Sequence, residues 1–202
     1  MKKLLLSLLI GILTLSGLSG CAPMVKPETT VTTFLDAFKN KKVIDYASLF
    51  DGDVSSMTGD PFSSETTPTE ISTKMMEMIL SYEYEVKDTV IDKDGLSATV
   101  TLEFTTVNLG LVFTNFTTQY LAKALQLAFS GGTAEQMNQA SIDVFMAVSN
   151  GAPKDKVTTV EVKLVKVEKA WLMKSGTENI ALFDGMMGGL ISMTKALNSN
   201  PQ

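Results

Sequence analysis

The spacing of apolar residues divides the chain into helical and extended stretches. From Pro27 to about Asn40, Val31, Phe34, Leu35 and Phe38 recur at i, i+3, i+4 and i+7, one face of a helix, and Pro27 with Glu28 suits its start. Val43 to Phe50 predicts a second, short helix that turns Ile44, Ala47 and Leu49 or Phe50 inward. Asp51 to Thr66, rich in Asp, Gly, Ser and Thr, reads as a loop. Thr67-Pro68-Thr69-Glu70 then supplies a Thr cap, an early Pro and a Glu at the third position, opening a helix that carries Ile71, Met75, Met78 and Ile79 and ends near Ser81.

The period next falls to two. Tyr82, Tyr84, Val86 and Val90 alternate with Glu83, Glu85, Lys87 and Thr89, and Asp92-Lys93-Asp94-Gly95 forms a turn. Leu96, Ala98, Val100, Leu102 and Phe104 then alternate with Ser97, Thr99, Thr101, Glu103 and Thr105. The result is a β-hairpin with one apolar and one polar face. By the same parity, Asp88 falls on the apolar face with Tyr82, Tyr84 and Val86; the alternative is a solvated Asp88 at the sheet's rim near the turn, since a buried unpaired carboxylate is costly.

Leu109 to Phe129 is apolar on more than one side, which predicts a well-buried helix stopped by Gly131-Gly132. Thr133-Ala134-Glu135-Gln136 is a capping box, and the helix it opens ends at Asn150-Gly151. Val157 to Val167 is a strand in which Val160, Val162 and Leu164 share one face while Val165 and Val167 take the other. That change predicts a bulge near Leu164. A short strand, Ala170 to Lys174, holds Trp171. A last helical segment is interrupted by Gly185, Gly188 and Gly189.

Upstream of these elements the pattern has a different purpose. Met1-Lys2-Lys3 is positive, Leu4 to Leu18 is largely apolar, and Leu18-Ser19-Gly20-Cys21 follows. A charged start, a short apolar run and small residues at its end describe a secretory signal peptide, and the run is short for a membrane span. The tetrad resembles the lipobox of bacterial lipoprotein precursors. That resemblance implies removal of residues 1–20 and a diacylglycerol on Cys21, so the expected partner is the membrane, reached through lipid on the extracytoplasmic face. Two acyl chains hold a protein stably where one does so marginally. Residues 21–27 would be the tether and 28–198 one α+β domain.

Composition narrows the chemistry. All 17 basic residues are lysine, against 22 acidic residues and a net charge of −5. With no histidine there is no Ser-His-Asp or Cys-His nucleophile and no imidazole metal site. With no arginine there is no bidentate clamp for phosphate. The acidic balance points away from nucleic acid, and the lone cysteine makes no internal disulfide. No cofactor or metal is expected. Asp51-Gly52-Asp53 lacks the Gly and Glu that complete a calcium loop, having Ser56 and Phe62 there instead. The methionines read as adaptable packing residues.

Helices, a long hairpin, a helical insertion over 109–150 and a second hairpin ending in Trp171 together resemble the nuclear transport factor 2-like (cystatin-like) fold. The local marks are Thr33-Phe34-Leu35-Asp36-Ala37-Phe38, Ala98-Thr99-Val100-Thr101-Leu102, and Val160 to Trp171. The chain also resembles lipoproteins of low-GC Gram-positive bacteria that carry such a domain and have no assigned activity. The resemblance implies a curved antiparallel sheet packed on helices and, often, a cone-shaped pocket.

Three functional expectations follow. The first is a non-enzymatic binding domain for a small apolar ligand or an envelope protein, with a pocket near Tyr82, Tyr84, Asp88 and Trp171. The second is an isomerase using Asp88 as base with Tyr82 or Tyr84 as hydrogen-bond donor, which requires Asp88 buried in a concavity. The third is an assembly module, a homodimer that buries an exposed apolar patch from Phe183 to Leu197.

Overall fold

The computed structural model describes residues 25–42, 44–52 and 70–198. Cys21, the expected signal peptide, most of the expected loop and the Thr67–Thr69 cap lie outside the described residues.

Helix α1 (Pro27–Lys39) is followed by a single 3₁₀ turn at Tyr46–Leu49 where a short α-helix was expected. Its Ala47 is exposed, while Phe50 is buried in the core and Tyr46 and Leu49 pack half-buried against it. Helix α2 (Glu70–Leu80) leads into strands β1 (Glu83–Ile91) and β2 (Ser97–Thr106). Helices α3 (Leu109–Phe129) and α4 (Ala134–Asn150) form the insertion. Strands β3 (Lys156–Val167) and β4 (Ala170–Met173) follow, then α5 (Ile180–Met186) and α6 (Leu190–Asn198). The four strands pair antiparallel in the order β1-β2-β3-β4, an open sheet with helices packed against it.

Alternation of side chains makes one sheet face the core. Ala98, Val100, Leu102 and Phe104 of β2 lie beside Leu164, Val162, Val160 and Thr158 of β3, and the apolar members are buried under α1 and α5 with Phe34, Leu35, Leu182 and Met186. The other face carries Thr99, Thr101, Glu103 and Glu161, with Lys87 bridging to Glu103 and Lys163 to Glu161. A second, smaller core joins Met78 of α2, Val107, Leu109 and Val112 at the base of α3, and Phe145 of α4.

Two register expectations are corrected. The ladder from β2 to β3 runs unbroken from Ser97–Val165 to Thr106–Lys156, so there is no bulge near Leu164. Val165 and Val167 simply occupy the outward face, where Val165 is half-buried and Val167 exposed. The bulge lies instead in β1, where the register shifts between Val86 and Asp88. One extra residue inverts every later side chain.

The third correction concerns α3. Only Leu109, Gly110 and Val112 are buried, while Leu111, Leu121, Leu125 and Phe129 are 50%, 58%, 50% and 90% exposed. The helix is anchored at its base and packs chiefly along α4, with less contact to α6, leaving an apolar outer face open. The capping box at Thr133 forms as expected: Thr133 Oγ accepts from Gln136 N–H and Gln136 Oε1 accepts from Thr133 N–H.

Candidate functional site

Helix α1 crosses the inner face of the sheet obliquely. Near its start, Thr30 Oγ donates to the Trp171 carbonyl at 2.8 Å. About one and a half turns on, Tyr82 donates its hydroxyl to the Leu35 carbonyl at 2.6 Å, and Tyr84 donates to Asp36 Oδ1 at 2.7 Å. Tyr82, Tyr84 and Phe104 form a ring cluster with centroids 5.8–6.4 Å apart, and the Lys39 ammonium lies 5.7 Å from the Tyr82 ring centre. Burial, with the neighbouring Tyr84 and Asp36, pushes the Tyr82 hydroxyl far above its ordinary value. Burial and the Asp36 carboxylate do the same to Tyr84. Both phenols are held neutral as donors to groups of α1, a positioning role for the helix.

The expected pocket residues do not converge. The two tyrosines lie at the β1 edge and Trp171 on β4 at the opposite edge, three strand spacings across the sheet and offset along it, with Tyr84 level with Thr158 of β3 and Trp171 level with Lys166. Tyr82 and Trp171 are buried in the packed core, and Lys166 Nζ lies 5.6 Å from the Trp171 ring centre. Asp88 is a further correction. The bulge at Lys87 turns it off the apolar face; it pairs with Thr101, is exposed, and its Oδ1 accepts from the Thr89 N–H. Thr89 takes the inward position, half-buried opposite Val100. An exposed carboxylate on the polar face does not meet the isomerase requirement for a desolvated base.

Among the described side chains, the patch expected from Phe183 to Leu197 is also absent as an exposed apolar surface. Phe183, Gly185 and Met186 are buried, and Leu190, Ile191 and Met193 are half-buried. Exposed apolar residues concentrate instead on α3. A groove of about 220 Å³ runs between α3 and α4, lined by Lys123, Leu127, Gln136, Ala140 and Asp143. Among the described residues, no three His, Cys, Asp or Glu side chains gather as a metal site. The α3 surface was missed in sequence because apolarity on several sides is the pattern of a buried helix too. The one sequence signal that could have found it is the seven-residue spacing of Leu111, Thr118 and Leu125.

No protein-family model matches the chain, and no curated protein is similar to it. Among solved structures, the fold is similar to that of ycdA, a provisionally assigned lipoprotein of Bacillus subtilis subsp. subtilis str. 168, with a TM-score of 0.50 and 14% identity. The likeness covers 80% of this chain but only 56% of that one, so this chain spans little more than half the neighbour's length. Among the described residues no helix is long and apolar enough to cross a membrane. The chain therefore shares an α+β fold with that protein.

Proposed function

We propose that this chain is a lipoprotein anchored by acylated Cys21 on the extracytoplasmic face of the cell membrane, and that residues 28–198 form a nuclear transport factor 2-like domain that docks proteins and performs no catalysis. The address is supported by the Lys2-Lys3 start, the apolar run and Leu18-Ser19-Gly20-Cys21, together with the fold shared with ycdA. The docking role rests on one observation: the inner face of the sheet is filled by Phe34, Tyr82, Trp171 and Met173, while α3 carries Leu111, Phe113, Leu121, Leu125 and Phe129 exposed, more than any other element among the described residues. A contiguous exposed apolar patch marks an interaction surface. The groove between α3 and α4, at about 220 Å³, is below the usual range for small-molecule sites.

Two measurements test this reading. Cys21→Ala should abolish incorporation of a labelled fatty acid and release the protein from the membrane fraction; unchanged retention would sink the anchor. A photo-crosslinking amino acid at Leu125 should give a covalent protein product in living cells, and the same probe at exposed Val90 on β1 should not. Equal silence at both positions would sink the docking surface.

A further inference from the structure

We infer that the partner of the exposed α3 face is a second copy of this chain, and that the two α3 helices pack antiparallel about a two-fold axis near Gln119–Tyr120. The inference rests on the reading of α3 as the docking surface.

The outer face of α3 carries Leu111, Thr114, Thr118, Leu121, Leu125 and Ala128, all exposed and spaced alternately by three and four residues. That 3.5-residue period is the seam of a helix pair. The inner face, with Val112, Phe116 and Tyr120, is already committed: Phe116 meets Phe145 of α4 edge-on and stacks on Tyr120, each at 5.6 Å. The seam is therefore a second stripe on a helix that has satisfied its first.

Size complementarity selects the antiparallel pair. If two copies of α3 run in opposite directions with Thr118 facing the partner's Leu121, then Thr114 faces Leu125 and Leu111 faces Ala128. Every layer then sets one leucine against one small residue, and the two-fold repeats each layer once. Large against small is the arrangement that fills a shared core without voids or overlap. A parallel pair would oppose Leu121 to Leu121 and Thr118 to Thr118, stacking bulky layers on thin ones.

The polar atoms on this face are already satisfied. Thr114 Oγ donates to the Gly110 carbonyl at 2.9 Å and Thr118 Oγ to the Thr114 carbonyl at 3.0 Å. Each threonine thus presents its methyl outward and loses little on leaving water.

Charge decides against a lipid surface as the occupant. The 21 residues of α3 include one charged side chain, Lys123, which lines the groove toward α4 and not the seam. A helix lying on anionic lipid carries flanking lysine or arginine. This face has none, and the whole chain is negative. A neutral strip suits an identical neutral strip, because two copies of a net-negative chain meet there without facing charges.

The helix is about 31 Å long. A pair of such faces buries on the order of 1,000 Å² in total, the lower end for a stable complex. Association in dilute solution is accordingly weak. A shared membrane would strengthen it by raising the effective concentration.

The test uses the full-length lipoprotein in its own membranes. Cells co-express a Thr118→Cys chain and a differently tagged Leu121→Cys chain. The expected result is a disulfide between the two tags under mild oxidation, with little Thr118→Cys homodimer. Leu125→Glu in both chains should reduce that product at least tenfold while leaving the melting temperature of the purified protein within a degree or two, since Leu125 is half exposed. A Thr118→Cys homodimer in place of the mixed product overturns the antiparallel arrangement. No disulfide in either combination overturns self-pairing. If the Leu125 photo-crosslink then joins a different protein, the docking reading stands and the self-pairing alone falls.

Discussion

The side chain of Asn179 is hydrogen-bonded to both backbone groups of Lys163: its Oδ1 accepts from the Lys163 N–H at 2.8 Å, and its Nδ2 donates to the Lys163 carbonyl at 2.9 Å. The same Nδ2 donates to the Lys174 carbonyl at 2.9 Å. Lys174 N–H also donates to the Lys163 carbonyl at 2.9 Å, so past the end of β4 at Met173 the amide sits between the Lys163 N–H and the Lys174 carbonyl and bridges them. Asn179 is fully buried, so its loss strands backbone groups out of water.

Asn179→Leu is therefore expected to destabilise the protein by about 2 kcal/mol, the cost of leaving the Lys163 N–H and the Lys174 carbonyl without this partner. Asn179→Asp should be no better, because it removes both donors and buries a carboxyl. Urea denaturation of both variants checks this. A loss under about 0.5 kcal/mol would show that the clamp on Lys163 is dispensable.

Gly188 joins α5 to α6 with φ of +57°, and a Cβ there would meet the Val107 carbonyl oxygen at 1.9 Å. Backbone cannot step aside as a flexible side chain can. Gly188→Ala should cost at least about 2–3 kcal/mol. By contrast, Gly131→Ala, at φ of +73° with nothing within 4 Å, should cost about 1 kcal/mol. Thermal unfolding of the two variants side by side separates the clash from the dihedral cost.

Ser149 of α4 is buried, and among the described side chains its Oγ stands without a hydrogen-bond partner. Removing an unsatisfied hydroxyl removes its desolvation penalty. Ser149→Ala should raise stability by about 0.5–1 kcal/mol, seen as a higher denaturation midpoint at unchanged slope. A lower midpoint would mean that the hydroxyl is bonded in solution.

Alkaline pH tests the tyrosine pair. Burial holds the Tyr82 and Tyr84 hydroxyls above the ordinary tyrosine value of 10.0. Above that value the unfolded chain gives up these protons while the folded chain keeps them, so the folded state binds more protons and stability falls as pH rises. The contribution is whole below about pH 10 and is lost progressively above it. Tyr82→Phe should be less stable at pH 8, having lost its bond to Leu35, yet show a shallower decline between pH 9.5 and 11. Equal slopes would place the alkaline sensitivity elsewhere.

Local patterns were read well where a single element decides the outcome. The α1 stripe of Val31, Phe34 and Leu35, the alternation of β2 and the Thr133 box all formed as their spacing predicts. Each depends on neighbours within four residues. Asp88 was misread because parity counting assumes an unbroken ladder, and the register shift beside Lys87 exists only once β2 lies alongside. Val165 and Val167 led to the opposite error, since an outward-facing valine and a bulge leave the same trace in one dimension.

The sequence by itself determined most of the helices and strands and the paired strands of the hairpin, because these depend on side-chain period and turn chemistry. It also settled, through the absence of histidine and arginine, which chemistry is closed to the chain. Only the tertiary structure decided which apolar residues stay in water. Leu121 and Leu125 are as hydrophobic as the fully buried Leu102 and Leu164. What separates them is that α3 packs chiefly against α4, with less contact to α6, and not against the sheet. Burial is a property of what lies opposite, and a linear sequence does not hold that information locally.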